Sequence, residues 1–386
     1  MIEENRIKKN LKKFAFPRLS GTNFELKAFN KLKKEVESLN LNYEVQNFTF
    51  SSFYSRIYPK IAFSSGSLIY LTLYLPFHPI LSTIVLFALT IILTISILLT
   101  RKPEKIQFIK KLSSQNLIVK LKSSSERLRE NDRIILFISH LDSKGQRFKI
   151  RIRIRTIKLW IATSFFLLVI LPIKYLRIPG FDLIFYIVGG CSLLMNAIAS
   201  IMTVLNITNN SSDGAVDNAS GIACNLELLN YYCSPVNRLI NYDIWLLFTG
   251  AEECGTMGIR HFYNNLHNFK TEKSISFNFE SIARSVFLFP GGKEGDNAVD
   301  VDNLILNNTR NLKINHYFTN RVLGTHSDGG FLGNKGFQGY GIGGVEAYEY
   351  MHTPNDTLEK VDTKVLESLC LVLIDSLKKH DSTFFE

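Results

Sequence analysis

Five polar clusters stand out along this chain, and their residue types are those of metal and proton chemistry. Ser139-His140-Leu-Asp142-Ser143 follows one apolar run, Gly250-Ala-Glu252-Glu253 follows a second, and Glu280 ends a third. Asp213-Gly-Ala-Val-Asp217-Asn-Ala-Ser-Gly221 and His352-Thr-Pro-Asn-Asp356-Thr357 are equally polar. Any one of them alone is ordinary. A His after a strand is commonly a hydrogen-bonded structural residue, and a Glu-Glu pair is commonly a solvated turn. Together they have the makings of a two-metal centre, because imidazole and carboxylate suit Zn²⁺ and a carboxylate shared by two ions holds them ~3.5–4 Å apart. Such a centre needs two His, three carboxylates that bind and a fourth that moves protons, and the chain supplies all six.

The runs that precede these clusters have the pattern of buried strands: Arg133–Ser139, Tyr242–Thr249 and Ser274–Phe279. Further strands are expected at Asn42–Phe50 and Asn116–Lys122. Helices are expected after a Ser20 cap, with Phe24, Ala28, Leu32 and Val36 at helical spacing, and at Ala219–Tyr231, Thr256–Leu266 and Asp362–Lys379. Alternating strands and helices predict an α/β fold with a mainly parallel or mixed sheet covered by helices on both faces. Ligands of such a sheet bind past the carboxyl ends of its strands, which is where three of the clusters fall.

Two stretches do not fit a water-soluble sheet protein. Residues 61–100 contain no Asp, Glu, Lys or Arg, and Pro76, His78 and Pro79 interrupt them. A hairpin of Ile61–Leu75 and Ile80–Thr100 follows, its first arm short and rich in Ser64, Ser65, Gly66 and Ser67. Leu159–Ile173 and Leu183–Asn206 repeat the plan around a polar turn, Lys174–Asp182. Two transmembrane hairpins, about four spans, are expected, with buried core helices as the alternative. Residues 1–65 carry 12 Lys/Arg against 6 Asp/Glu and residues 101–160 carry 17 against 5, whereas 207–386 carry 14 against 22. Basic flanks around apolar hairpins suggest a lipid bilayer partner and place the rest of the chain in the cytoplasm. The alternation Lys149-Ile-Arg-Ile-Arg-Ile-Arg155 reads as a strand with one basic face. No nucleic-acid-binding pattern accompanies the charge. Met1–Lys13 is too charged for a signal peptide. Five Cys without CxxC spacing exclude a disulfide scaffold.

In sequence order the clusters resemble those of the M28 zinc aminopeptidases: Ser139-His140-Leu-Asp142-Ser143, Gly214-Ala-Val-Asp217-Asn218-Ala-Ser-Gly221, Phe248-Thr-Gly-Ala-Glu252-Glu253-Cys-Gly255, Asn278-Phe-Glu280 and His352-Thr-Pro-Asn-Asp356-Thr357. Arg18-Leu-Ser-Gly21 and Ser327-Asp328 with Phe331 look like further family features. The resemblance implies a zinc-exopeptidase-like (phosphorylase/hydrolase-like) fold and two Zn²⁺. It implies that His140 and Glu280 hold one ion, Glu253 and His352 the other, and that Asp217 bridges them. By the same resemblance Asp142 orients His140, and Glu252 is the general base acting on peptides with a free amino terminus. Residues 1–60, 101–158 and 207–386 would then form one peptidase domain interrupted by hairpins at 61–100 and 159–206. Glu280 departs from the Asp of many family aminopeptidases. The family also holds carboxypeptidases, glutaminyl cyclases and metal-free receptors, which are the alternative functions. Cys254 is expected to pack rather than react.

Overall fold

The structure, a computed structural model, describes residues 1–106, 111–124, 133–176, 179–266, 271–291 and 327–382. Arg177, in the turn of the second hairpin, lies outside them. Two compact units make up the chain: Met1–Phe50, Leu112–Gly145 and Asn209–Glu386 form the first, and Ser51–Lys111 with Gln146–Thr208 form the second.

In the first unit, seven strands form one sheet: β1 (Tyr43–Ser51), β2 (Lys111–Leu121), β3 (Ile134–His140), β4 (Asp243–Thr249), β5 (Ile275–Phe279), β6 (Phe287–Gly291) and β7 (Gln338–Gly343). Their spatial order is β1-β2-β4-β3-β5-β7-β6. The central strands β4, β3, β5 and β7 are parallel, while β2 runs antiparallel to β4 and β6 antiparallel to β7, so the sheet is mixed. Every residue of β3 is buried, as expected of a strand covered on both faces. Its side chains alternate. Ile135 and Phe137 join a core with helices α1 (Glu4–Phe14), α2 (Asn23–Ser38) and α3 (Ser220–Tyr232). Leu136 and Ile138 join a second core with Ile259 and Phe262 of α4 (Met257–Asn264) and Leu332 of α5 (Asp328–Gly333). The last helix, α6 (Thr363–Ser382), packs in the first core.

Two strands of this sheet and two helices, α1 and α5, go beyond the sequence-based expectation. Half of β7 (Gln-Gly-Tyr-Gly-Ile-Gly) is glycine, and β6 contains Pro290, tolerable because β6 is an edge strand. In α1 the buried stripe Ile7, Leu11 and Phe14 is diluted by basic residues. The expected Ser20 cap is corrected. Thr22 caps α2, its side chain accepting from the Phe24 N–H, which turns Phe24 outward and buries Phe29 instead. Ser20 is left free to donate to Asp142.

Register aligns the strand ends. His140 pairs with Thr249 across β3 and β4, and Ser139 pairs with Phe279 across β3 and β5. The residues that follow each strand therefore emerge side by side on one edge of the sheet. Arg18, fully buried, ties the loops there. It donates to the carbonyls of Phe14, Phe16, Leu141, Asp213 and Gly214. Burial pulls its pKa down to about 10, so it stays charged at neutral pH. Gly214 has φ +60, and a Cβ there would lie 2.5 Å from the Ser143 Cβ, so this tight crossing requires glycine.

The second unit is helical. Its helices span Tyr58–Tyr74, Pro79–Thr100, Ile150–Leu176 and Asp182–Leu205. The strand expected at Lys149–Arg155 is corrected: from Ile150 onward these residues open the third helix. The alternation is short and abuts an uncharged run, and extending a nucleated helix costs little per residue. Among the described residues, Pro79–Thr100, Ile150–Ile173 and Asp182–Leu205 are long and apolar enough to cross a membrane. Tyr58–Tyr74, which covers the expected first arm up to Tyr74, is not among them. It buries Ser65, Gly66, Ser67 and Thr72. Asn196, also buried, donates to Thr163 and Ser164 (both 3.0 Å), and the Trp160 indole N–H donates to Ser67 and Ser200 (both 3.1 Å). These bonds join three of the four helices, as interhelical polar contacts do where water is excluded.

Replacing Arg18 by Met should leave buried carbonyls without a donor. Each unmet buried group costs about 1–3 kcal/mol. Thermal unfolding of Arg18→Met should therefore begin well below that of the parent protein, and an unchanged midpoint would show that Arg18 does not brace these loops.

Candidate metal centre

The site is assembled at the aligned strand ends of the first unit. His140 is the last residue of β3, Glu253 lies four residues past β4, and Glu280 directly follows β5. Asp217 sits in the turn that leads into α3, and His352 in the loop before α6. Asp217 is the centre of the group. Its Oδ1 lies 3.2 Å from the His140 Nε2, and its Oδ2 lies 3.2 Å from the His352 Nε2. On one side the Glu280 Oε2 is 3.6 Å from the His140 Nε2, and on the other the Glu253 Oε1 is 2.9 Å from the His352 Nε2. Two triads result, His140/Asp217/Glu280 and Asp217/Glu253/His352, each with its ligand atoms within 4.8 Å of one another. The structure brings together all five residues expected to bind metal, with Glu252 and Asp142 beside them.

Hydrogen bonds aim these atoms. The His140 Nδ1 lies 3.0 Å from the Asp142 backbone carbonyl and 3.5 Å from its carboxylate, so Nδ1 is the donor and Nε2 faces the carboxylates. The Asp142 carboxylate reaches further than the expected role of orienting His140. It accepts from Ser20 and from the N–H groups of Glu252 and Glu253, 3.0 Å each, and so fixes that turn. The Asn278 amide donates to the Glu280 Oε1 at 2.6 Å, leaving Oε2 for the centre. Lys144 contacts the Glu253 Oε2 at 2.5 Å.

Three further carboxylates support the site: Glu25, which the sequence does not mark, and Asp356 and Asp328, which stand in clusters it does mark but without a role. Glu25 of α2 is buried and accepts from the N–H groups of Gly21 (2.6 Å) and Ala251 (2.9 Å) and from Ser114 (2.8 Å). Burial, aided by the charge of Asp142, pushes its pKa up to about 8. Asp356 accepts from the N–H groups of Val216 (2.6 Å) and Asp217 (3.3 Å), and burial raises it to about 7. Asp328 accepts from Thr249, and burial likewise raises it to about 7. Ala251 (φ 53) and His352 (φ 63) occupy the left-handed region, so the turns that present Glu252 and His352 are strained.

The cluster is electrostatically suited to a cation. Burial opposes ionisation of Asp217, but the two imidazoles hold its carboxyl well below the usual range. Burial disfavours charge on His140, yet Asp142, Asp217 and Glu280 raise its pKa well above the ordinary value. Burial pushes the Glu252 carboxyl well up. Beyond these mutual ion-pair contacts the buried His140 Nε2 and Glu253 Oε1 meet no hydrogen-bond partner. Two ligand atoms ~2.0–2.1 Å from one tetrahedral zinc lie roughly 3.3 Å apart, close to the separations at Asp217. Nitrogen and oxygen donors at this spacing fit zinc. Cys254 is buried beside Glu253.

Residues 193–376 match the model of peptidase family M28. The M28 match takes in Asp217, Glu252, Glu253, Glu280 and His352, while His140 and Asp142 precede it. Among curated proteins none matches the sequence. The fold is similar to that of an aminopeptidase from Aneurinibacillus sp. strain AM-1, at TM-score 0.59 and 13% identity over 98% of this chain and 94% of that one. It is also similar to BSAP, a zinc aminopeptidase from Bacillus subtilis (TM-score 0.55, 14% identity, 98% and 95% covered). A glutaminyl cyclase from Fimbriiglobus ruber shares it too (TM-score 0.52, 13% identity, 98% and 95% covered).

Proposed function

We propose that this chain is a dizinc aminopeptidase anchored in a membrane. The observation that carries the reading is the pair of triads sharing Asp217, with Glu252 beside the ligand Glu253 but outside both triads. His140, Asp217 and Glu280 would hold one zinc, and Asp217, Glu253 and His352 the other. Zinc held there would lower the pKa of water and polarise a scissile carbonyl. The rest falls to the protein. Asp142 keeps the His140 Nδ1 a donor and anchors the Glu252-Glu253 turn. Asn278 presents one oxygen of Glu280. Glu252 takes a proton from the attacking water and delivers it to the leaving amine, and its burial raises its affinity for that proton. The substrate class is a peptide with a free amino terminus.

Membrane anchoring rests on the second unit. Ile80, Ile84, Phe87, Leu168, Ile187 and Leu194 are exposed on its helices, on a scale that water penalises and lipid accepts. Basic residues flank the hairpins at Lys60, Arg101, Lys102, Arg147, Lys149 and Arg151, favouring a cytoplasmic first unit.

Glu252→Gln should lose roughly 10²–10⁴-fold in kcat on aminoacyl reporters while retaining its zinc. Glu253→Gln should release metal. The reverse pattern would exchange the two roles, and cyclisation of amino-terminal glutamine to a pyroglutamyl peptide with loss of ammonia, without hydrolysis of other reporters, would replace aminopeptidase by cyclase. For topology, single cysteines at Ser124 and Val236, in a background lacking Cys191 and Cys233, should resist an impermeant thiol reagent until the cells are permeabilised. Labelling of both in sealed cells would move the first unit outside. Labelling of one alone would refute paired crossings.

A further inference from the structure

The carboxylates Glu280 and Glu253 of the two triads differ in the charge of the group that holds their second oxygen. In the first, the second oxygen of Glu280 is taken by the neutral amide of Asn278 at 2.6 Å. In the second, the second oxygen of Glu253 is taken by the ammonium of Lys144 at 2.5 Å, with the Lys144 side chain 15% exposed and that of Glu253 5% exposed. Lys144 follows Ser143 on the loop that leaves β3, and that loop is held on both sides of the crossing. The Ser143 N–H donates to the Arg18 carbonyl, and the Arg18 N–H donates to the Ser143 hydroxyl, both at 3.0 Å. The lysine is thereby delivered to one half of the centre only.

We infer that Lys144 is a positioning residue that makes the two metal positions unequal, weakening the Glu253/His352 half for a divalent cation relative to the His140/Glu280 half. The inference rests on the two-zinc reading above. Each half draws on Asp217 and one further carboxylate, so the ligand charges alone are balanced. A lysine cation at contact distance from Glu253 neutralises part of one half and repels an arriving ion across a largely dry space, where charges are poorly screened. Each carboxylate is left one oxygen for the centre, so the charge of the lysine is what separates the two halves. The first ion would then enter at His140/Glu280, and the second would bind less tightly.

The test reads metal affinity rather than turnover. Metal-free full-length protein in detergent is titrated with Zn²⁺ against a chromophoric chelator, comparing the parent with Lys144→Gln and Lys144→Arg. The parent should show one tight and one weaker step. Lys144→Gln should tighten the weaker step tenfold or more and leave the tight step within about twofold, and Lys144→Arg should restore the parental difference. A parent that takes one ion beside a Lys144→Gln variant that takes two would support the role of Lys144 while removing dizinc occupancy from the proposed function. An unchanged or weakened second step in Lys144→Gln, or equal changes in both steps, would overturn the inference with the two-zinc reading intact. A parent that binds no zinc would overturn both.

Discussion

The Asp217 carboxylate faces two imidazoles at once, 3.2 Å from each, in a place that water barely reaches. A buried carboxylate is costly unless charge or hydrogen bonds compensate it. Much of what surrounds Asp217 supplies that compensation or holds the backbone on which it depends. Asp356 grips the N–H groups of Val216 and Asp217, and Arg18 fixes the carbonyls of Asp213 and Gly214 just upstream. Arg18 and Asp356 are both buried charges joined mainly to main-chain groups, so they act as rigid braces rather than surface ion pairs.

The same constraint accounts for the architecture around the site. His140, Glu253 and Glu280 come from adjacent parallel strands whose ends are level, so no long loop is needed to bring them together. What the sheet cannot supply, the turns do. Asp142 and Glu25 bind the N–H groups of residues 251–253 in sequence, which holds a strained turn in one conformation and gives two neighbouring glutamates different surroundings. One, Glu253, faces His352. The other, Glu252, stays outside the triads with a proton affinity raised by burial.

The strands that end in chemistry were legible in the sequence because each is an apolar run stopped by a polar cluster, and the five residues that the resemblance implied as ligands lie together in two triads. Strands β6 and β7 were not, since glycine and proline there hide a strand whose pairing is imposed by its neighbours. The bracing roles were hidden even where the residues were not. Arg18 and Asp356 stood in marked clusters and Glu25 in none, but all three do their work on main-chain groups far away in sequence, and no periodicity marks such a contact. Lys144 was visible only as one more basic residue in a basic segment. The Lys149–Arg155 alternation misled for the opposite reason. A local period-two pattern was overridden by the long helix that follows it.

Anomalous diffraction at the zinc absorption edge, from crystals grown with saturating zinc, tests the shared carboxylate most directly. Two peaks roughly 3.5–4 Å apart should flank Asp217, one against His140 and Glu280 and the other against Glu253 and His352. A single peak, or zinc bound without contact to Asp217, would contradict the account.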